Sequence, residues 1–166
     1  MDVTIREGLH KKPAIDDFNL LFNKILSSEK LLYFADNAGE IVFDKIFIEE
    51  MISVKERPFE RISFVIKGGP IINDAMLADA RETGIDKLPG VIFHKLGNGE
   101  ERTGADRRSN KVKEWIREHK LVISKGQANF EGLSENEGIC FMFMAKCPVI
   151  AGELKVKELD SVIKCQ

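Results

Sequence analysis

The sequence predicts an α/β protein with a three-layer α/β/α, Rossmann-like architecture around a mostly parallel sheet. Two observations carry this. Short apolar runs rich in β-branched and aromatic residues recur at Leu31 to Ala35, Ile62 to Ile66, Gly90 to Leu96, Leu121 to Ser124 and Ile139 to Cys147, and each reads as a strand. Between them lie stretches whose apolar residues repeat every three or four positions, which is the spacing of one helix face. Strands alternating with helices imply crossover connections, and crossovers imply parallel pairing.

The chain has 166 residues, 43% hydrophobic and 31% charged, enough for one core-forming domain of about 100 to 200 residues. Lysine plus arginine (25) nearly balance aspartate plus glutamate (27). Such a balance calls for neither nucleic acid nor an anionic membrane as partner. The opening MDVTIREGLHKK lacks the layout of a signal peptide, and no apolar run approaches the ~18 residues of a membrane span, so a cytoplasmic protein is expected. Cys140, Cys147 and Cys165 show no C-x-x-C spacing and read as small buried hydrophobes in a reducing compartment. His10, His94 and His119 each stand without a partner at metal-ligand spacing.

In order, residues 1–30 are a polar tail and one helix, and 31–166 the α/β domain. Phe18, Leu21, Phe22 and Ile25 give the helix its apolar face, with Pro13 at its first position. After the strand at Leu31 the helix from Glu40 is apolar nearly all round, leaving a polar stripe of Asp44, Lys45, Glu49 and Ser53. It should be mostly buried and pack on a second partner besides the sheet, which leans toward association of copies. Asn73-Asp74 opens an alanine-rich helix after the Lys67 to Pro70 loop. The stretch LGNGEERTGADRRSN from Leu96 is long enough for a lid or binding loop. Val112, Trp115, Ile116 and His119 follow at core spacing, while Arg107, Arg108, Lys111 and Lys113 form a solvated face. Val162-Ile163 is placed at the edge of the sheet.

Three polar turns follow apolar strands: Asp36-Asn37, Asn73-Asp74 and Lys125-Gly126. In a parallel sheet they share one rim, where α/β proteins bind ligands. The first turn has one glycine and presents oxygen atoms, so it suits a hard divalent cation better than a bare phosphate. Two carboxylates and an amide oxygen part-fill a shell for Mg²⁺ or Mn²⁺, whose other ligands are water and phosphate oxygens. Lys125 and the backbone from Gly126 to Asn129 would hold the anion. A plainer reading stays open: Asp36 as an Asx-turn residue and Asp74 as a helix cap.

DNAGEIVFD at Asp36 to Asp44, KGGPIINDAMLADA at Lys67 to Ala80, ISKGQANFEGL at Ile123 to Leu133 and FMAKC at Phe143 to Cys147 resemble, in order, the metal-dependent damage-control phosphatase family, long labelled domain of unknown function eighty-nine. The resemblance covers most of the chain from Ala35. It implies that Asp36, Asn37 and Asp74 bind a divalent metal (Mn²⁺ or Mg²⁺, with Co²⁺ or Ni²⁺ possible), and that Lys125, beside Gly126 and Asn129, contacts the substrate phosphate. Asp36, Asp74 and Lys125 would then be the catalytic set. The implied activity is hydrolysis of phosphate monoesters of sugar phosphates or damaged phosphometabolites through a metal-bound water. Attack by Asp36 to form an aspartyl-phosphate is the other route, although D-x-D phosphatases carry a second acid where Ala38 stands. Family members usually carry a sizeable N-terminal helical domain, and this sequence lacks most of it. The chain is therefore expected alternatively as a catalytically incomplete metal-binding module, or as half of a split enzyme whose helical domain is a separate partner. A carboxyl methyltransferase, assigned to one branch, fits less well because ADNAGE offers no G-x-G turn.

Overall fold

Seven strands form one sheet in the computed structural model, which describes residues 11–70, 72–97 and 109–166. The elements are β1 (Ile15–Asp16), α1 (Phe18–Ser27), β2 (Lys30–Phe34), α2 (Ile41–Ser53), β3 (Arg61–Lys67), α3 (Leu77–Glu82), β4 (Val91–Leu96), α4 (Asn110–Arg117), β5 (Leu121–Lys125), α5 (Gln127–Leu133), β6 (Ile139–Met144), α6 (Pro148–Leu154) and β7 (Ser161–Cys165). Across the sheet the order is β1-β7-β6-β5-β2-β3-β4. From β4 to β6 every neighbouring pair is parallel, whereas β7 runs antiparallel to β6 and β1 parallel to β7. The mostly parallel α/β sheet expected from the sequence is thus what the chain forms.

Strand β2 explains why the central strands read as unbroken apolar runs. Leu31, Tyr33 and Ala35 enter one core with Leu21 and Ile25 of α1 and Ile41, Ile48 and Met51 of α2. Leu32 and Phe34, pointing the other way by the two-residue strand period, enter a second core with Val112 and Trp115 of α4 and Phe130 and Leu133 of α5. A strand covered on both faces has no polar side to show. Each fully buried aliphatic or aromatic side chain contributes about 1.5–3 kcal/mol to holding these layers together.

Several expectations are corrected. Helix α1 is entered from β1 and Asp17 rather than at Pro13, and β1 pairs with β7. The helix from Glu40 is not buried all round, because Val42, Phe43 and Ile46 are exposed. Asp44, placed on its polar stripe, is buried instead. The first α3 turn is capped by Asp79, whose Oδ2 accepts from Met76 N at 2.8 Å, so Asp74 is not the cap. Val162 and Ile163 lie one strand inside the edge, since β1 covers them.

The cysteines also depart from the reading as three separate thiols. Cys140 and Cys165 are joined in a disulfide across the antiparallel β6–β7 pair, where the register sets them directly opposite. Cys147 is free. His94 packs against Trp115 with ring centroids 4.4 Å apart and the rings tilted by 37°. His119 is buried between Trp115 O (2.7 Å to Nδ1) and Ser63 Oγ (3.0 Å to Nε2), and both histidines are packing residues. His10, Arg107, Arg108 and most of the long loop after Leu96 lie outside the described residues. Among the described residues, no helix is long and apolar enough to cross a membrane.

Candidate metal and phosphate site

The sheet order makes one place on its rim special. From β2 the chain moves out through β3 to β4, then returns to the opposite side of β2 as β5. The carboxyl ends of β2 and β5 therefore flank a switch point, where the connections leave in opposite directions and open a crevice. Asp36 follows β2, Lys125 ends β5, and Lys67 ends the neighbouring β3.

Two oxygen-bearing turns are joined backbone to backbone. Ala38 N donates to Asn73 O at 2.8 Å and Ala75 N to Asp36 O at 2.9 Å, an antiparallel bridge that sets Asn37 opposite Asp74. Sequence distance is thereby removed. Asn37 Oδ1 accepts from Gly39 N at 2.7 Å, which holds the turn and leaves a second lone pair on that oxygen. Asp74 Oδ2 lies 3.2 Å from the buried ammonium of Lys67.

The Asp36 carboxylate rests on Gly126. A Cβ at that position would lie 2.1 Å from Asp36 Oδ2, so only glycine permits the approach, and its φ of +84° also favours glycine. Gly126 N donates to Met142 O at 3.1 Å, and what this residue supplies is room rather than a free amide. Asn129 acts from below. Its Nδ2 donates to Ala35 O at 3.0 Å and to Lys125 O at 2.7 Å, clasping the ends of β2 and β5 on either side of the crevice. The side chain is buried, so it reaches the site through the strands it ties.

Lys125 points its ammonium at acids. Nζ is 3.0 Å from Asp44 Oδ1 and 4.0 Å from Glu40 Oε2. Asp44 Oδ1 also accepts from Tyr33 Oη at 2.8 Å. Burial, the charge of Asp44, the hydrogen bond to it and the charge of Glu40, in that order, push the Tyr33 phenol well above the usual tyrosine range, so it stays a donor. A cleft of about 360 Å³ opens beside this cluster, lined in part by Asp36, Glu40, Lys125, Gly126, Gln127 and Lys146.

The donor chemistry fits a hard dication: two carboxylates and an amide oxygen on paired turns, with no sulfur or imidazole. Among the described residues no group of three or more histidines, cysteines, aspartates or glutamates is placed to hold an ion. Asn37, water and substrate oxygens would therefore complete the shell begun by Asp36 and Asp74.

Comparison with known proteins decides the family. A profile of the damage-control phosphatase ARMT1-like domain matches residues 2–162. The chain belongs to this family. It is 37% identical over 160 residues to the damage-control phosphatase PH1575 of Pyrococcus horikoshii, covering 94% of this chain and 53% of that protein. It is also 37% identical over 164 residues to a damage-control phosphatase of Archaeoglobus fulgidus, covering 96% of this chain and 52% of the relative. A crystal structure of a DUF89-family protein from P. horikoshii superposes with a TM-score of 0.83 at 35% identity, over 99% of this chain and 56% of the other. The chain spans about half the length of the curated relatives it matches.

Within this damage-control phosphatase-like chain, the residues the sequence singled out at the rim are neighbours through β2, β3 and β5. Sequence reasoning passed over Asp44, Tyr33 and Lys67. Asp44 did carry a signal: with Ile41, Ile48 and Met51 it falls at the three- and four-residue spacing of the buried face of α2. A charged residue on a core face needs a partner.

Proposed function

We propose that the chain is a metal-dependent phosphomonoesterase acting on small phosphorylated metabolites, sugar phosphates or damaged phosphometabolites among them. The observation that carries this is the backbone bridge between the Asp36-Asn37 and Asn73-Asp74 turns beside Lys125 at the sheet's switch point. Asp36, Asn37 and Asp74 would hold the dication, Mn²⁺ or Mg²⁺ first and Co²⁺ or Ni²⁺ as alternatives. When bound, it supplies charge neutralisation and polarisation of the phosphoryl group.

The chain's own residues do the rest. Lys125 offers ammonium N–H donors to a phosphate oxygen at the cleft wall. Gly126 leaves the space in which the Asp36 carboxylate sits. Asn129 keeps the two strand ends at a set separation, so that the metal-side and phosphate-side groups keep their mutual geometry. Water is the nucleophile in this reading. Asp36 serves as ligand, and the D-x-D pattern of aspartyl-phosphate enzymes is broken at Ala38. The cytoplasm is the compartment it implies.

A second reading has support from helix α2. Its Val42, Phe43 and Ile46 are exposed on the helix that begins at the site, so a separate helical unit or a second copy could complete the cleft wall.

The test is release of inorganic phosphate from para-nitrophenyl phosphate and a panel of sugar phosphates, with each metal restored after chelation. Turnover that needs metal and vanishes in Asp36→Ala is expected. Turnover that survives both chelation and Asp36→Ala would overturn the proposal. Metal binding without turnover, followed by turnover once a helical partner is added, would support the second reading.

A further inference from the structure

We propose that Asp44 is a positioning residue of the site: a buried carboxylate that fixes the Lys125 ammonium where it meets the substrate phosphate. This rests on the phosphomonoesterase reading above. Asp44 is 1% exposed, so it cannot itself reach a ligand in the cleft. Its Oδ1 accepts from Lys125 Nζ at 3.0 Å and from Tyr33 Oη at 2.8 Å. Lys125, by contrast, lines the cleft. The order of contact therefore runs from the core outward, Tyr33 to Asp44 to Lys125 to cleft.

Stability alone is a poor reason for such an acid. Taking a carboxylate out of water is costly, and pairing it with a lysine often no more than offsets that cost. Asp44 adds a further penalty, because its Oδ2 is buried with no hydrogen-bond partner among the described residues. A leucine or methionine at this point of the buried face of α2 would pack without that penalty. What the acid supplies is direction. A lysine side chain has four rotatable carbons and its ammonium is a mobile point charge, and here a carboxylate held by a rigid phenol takes up that freedom. Tyr33 is fully buried and stacks on Phe64 with centroids 5.3 Å apart, which anchors the inner end. The positive N-terminal end of α2, where Asp44 lies in the first turn, favours the carboxylate.

The experiment compares Asp44→Asn, Lys125→Ala and the double variant in three measurements: Mn²⁺ titration, binding of inorganic phosphate to the Mn²⁺-loaded protein, and nitrogen-15 NMR of lysine ammonium groups without ligand. Asp44→Asn should keep Mn²⁺ affinity and weaken phosphate binding about 10- to 100-fold, the range of a misplaced contact. It should add little once Lys125 is alanine, since its action passes through that residue. The ammonium signal missing from Lys125→Ala should be protected from exchange in the wild type and lost in Asp44→Asn. Should Asp44→Asn fail to fold, Tyr33→Phe loosens the same carboxylate and should weaken phosphate binding about threefold to tenfold. Persistence of the Lys125 signal in the Asp44 or Tyr33 variant would overturn the positioning role, whatever the phosphate data show. So would an equal loss of affinity with and without Lys125. Unchanged phosphate binding in Lys125→Ala would instead remove the phosphate role given to Lys125, and the positioning role with it.

Discussion

Gly126→Ala isolates the contact on which the metal side of the site rests. The backbone at Gly126 has φ 84° and ψ 150°, a region that is nearly glycine-only, and an alanine held there costs about 1–3 kcal/mol. The new methyl would also sit 2.1 Å from Asp36 Oδ2 and 2.5 Å from Oδ1. Ordinary contact needs ~3.4 Å or more, so the carboxylate would have to move by roughly 1.3 Å. It cannot do so with its own backbone, because Asp36 O accepts from Ala75 N and the turn is bridged to Asp74. The side chain must rotate, and a metal ligand turned away from its partners loses affinity by about 10- to 100-fold. Two assays read the two effects. Calorimetric Mn²⁺ titration should show that loss, and thermal unfolding a melting point lower by about 2–12 °C, at about 2–4 °C per kcal/mol for a chain of this size. In an Asp36→Ala background the backbone strain remains and the contact disappears, so Gly126→Ala should then cost less stability. Wild-type Mn²⁺ affinity in Gly126→Ala, or an equal penalty in both backgrounds, would refute the reasoning.

Three other outcomes are expected. Asp74→Asn keeps an oxygen acceptor near Lys67 but removes a charge from the ligand set, and should lower Mn²⁺ affinity about 10- to 100-fold while circular dichroism stays native; unchanged affinity would take Asp74 out of the ligand set. Asn129→Ala removes the donors to Ala35 O and Lys125 O and should cost about 1–3 kcal/mol in denaturant unfolding; no change would mean that the clasp does not hold the strand ends. Acid should destabilise the fold through its histidines. Burial pushes both His119 and His94 below the ordinary value of 6.5, so below that pH the unfolded chain binds the more protons and stability present above it is lost as pH falls. Replacing His119 by Gln should flatten the decline between about pH 7 and 5 seen in chemical denaturation; a wild type already flat across that window would contradict it.

What was legible in the sequence follows from which interactions are local. Strands β2, β3 and β5 announced themselves because both faces are covered, and an unbroken apolar run has few other uses. Their parallel pairing carried the three polar turns to one rim without any knowledge of side-chain contacts. Strand β7 was harder. SVIKC offers only a short apolar core, and nothing local says that it runs antiparallel to β6 or that Cys165 faces Cys140 across it, 25 residues away. Asp44 was misjudged for a related reason. An acid next to Lys45 looks like a solvated stripe. Only the register of β2 against β5 shows it beneath Lys125, and the same register gives Asn129 its two carbonyl acceptors, Ala35 O and Lys125 O.

The buried pairing also bears on why a phosphate site at this rim would need a cation. Glu40 and Asp44 lie by Lys125 and Asp74 by Lys67, and Asp36 and Lys146 line the cleft beside them, so these groups include more carboxylates than ammonium groups. Two of those ammonium groups are already engaged, Lys67 with Asp74 and Lys125 with Asp44. A phosphate dianion entering this cleft would meet an excess of negative charge, in surroundings where charges are screened less than in water. In the proposed reading, Asp36, Asn37 and Asp74 would hold a dication that reverses that sign on one side of the crevice, while Lys125 keeps its place on the other. Phosphate binding should accordingly be conditional on the metal. Titration of inorganic phosphate into chelator-treated protein should give no measurable heat, and the same titration after Mn²⁺ is restored should. Equal affinity in both would mean that lysines alone recognise the anion, and the oxygen-rich turns would need another purpose.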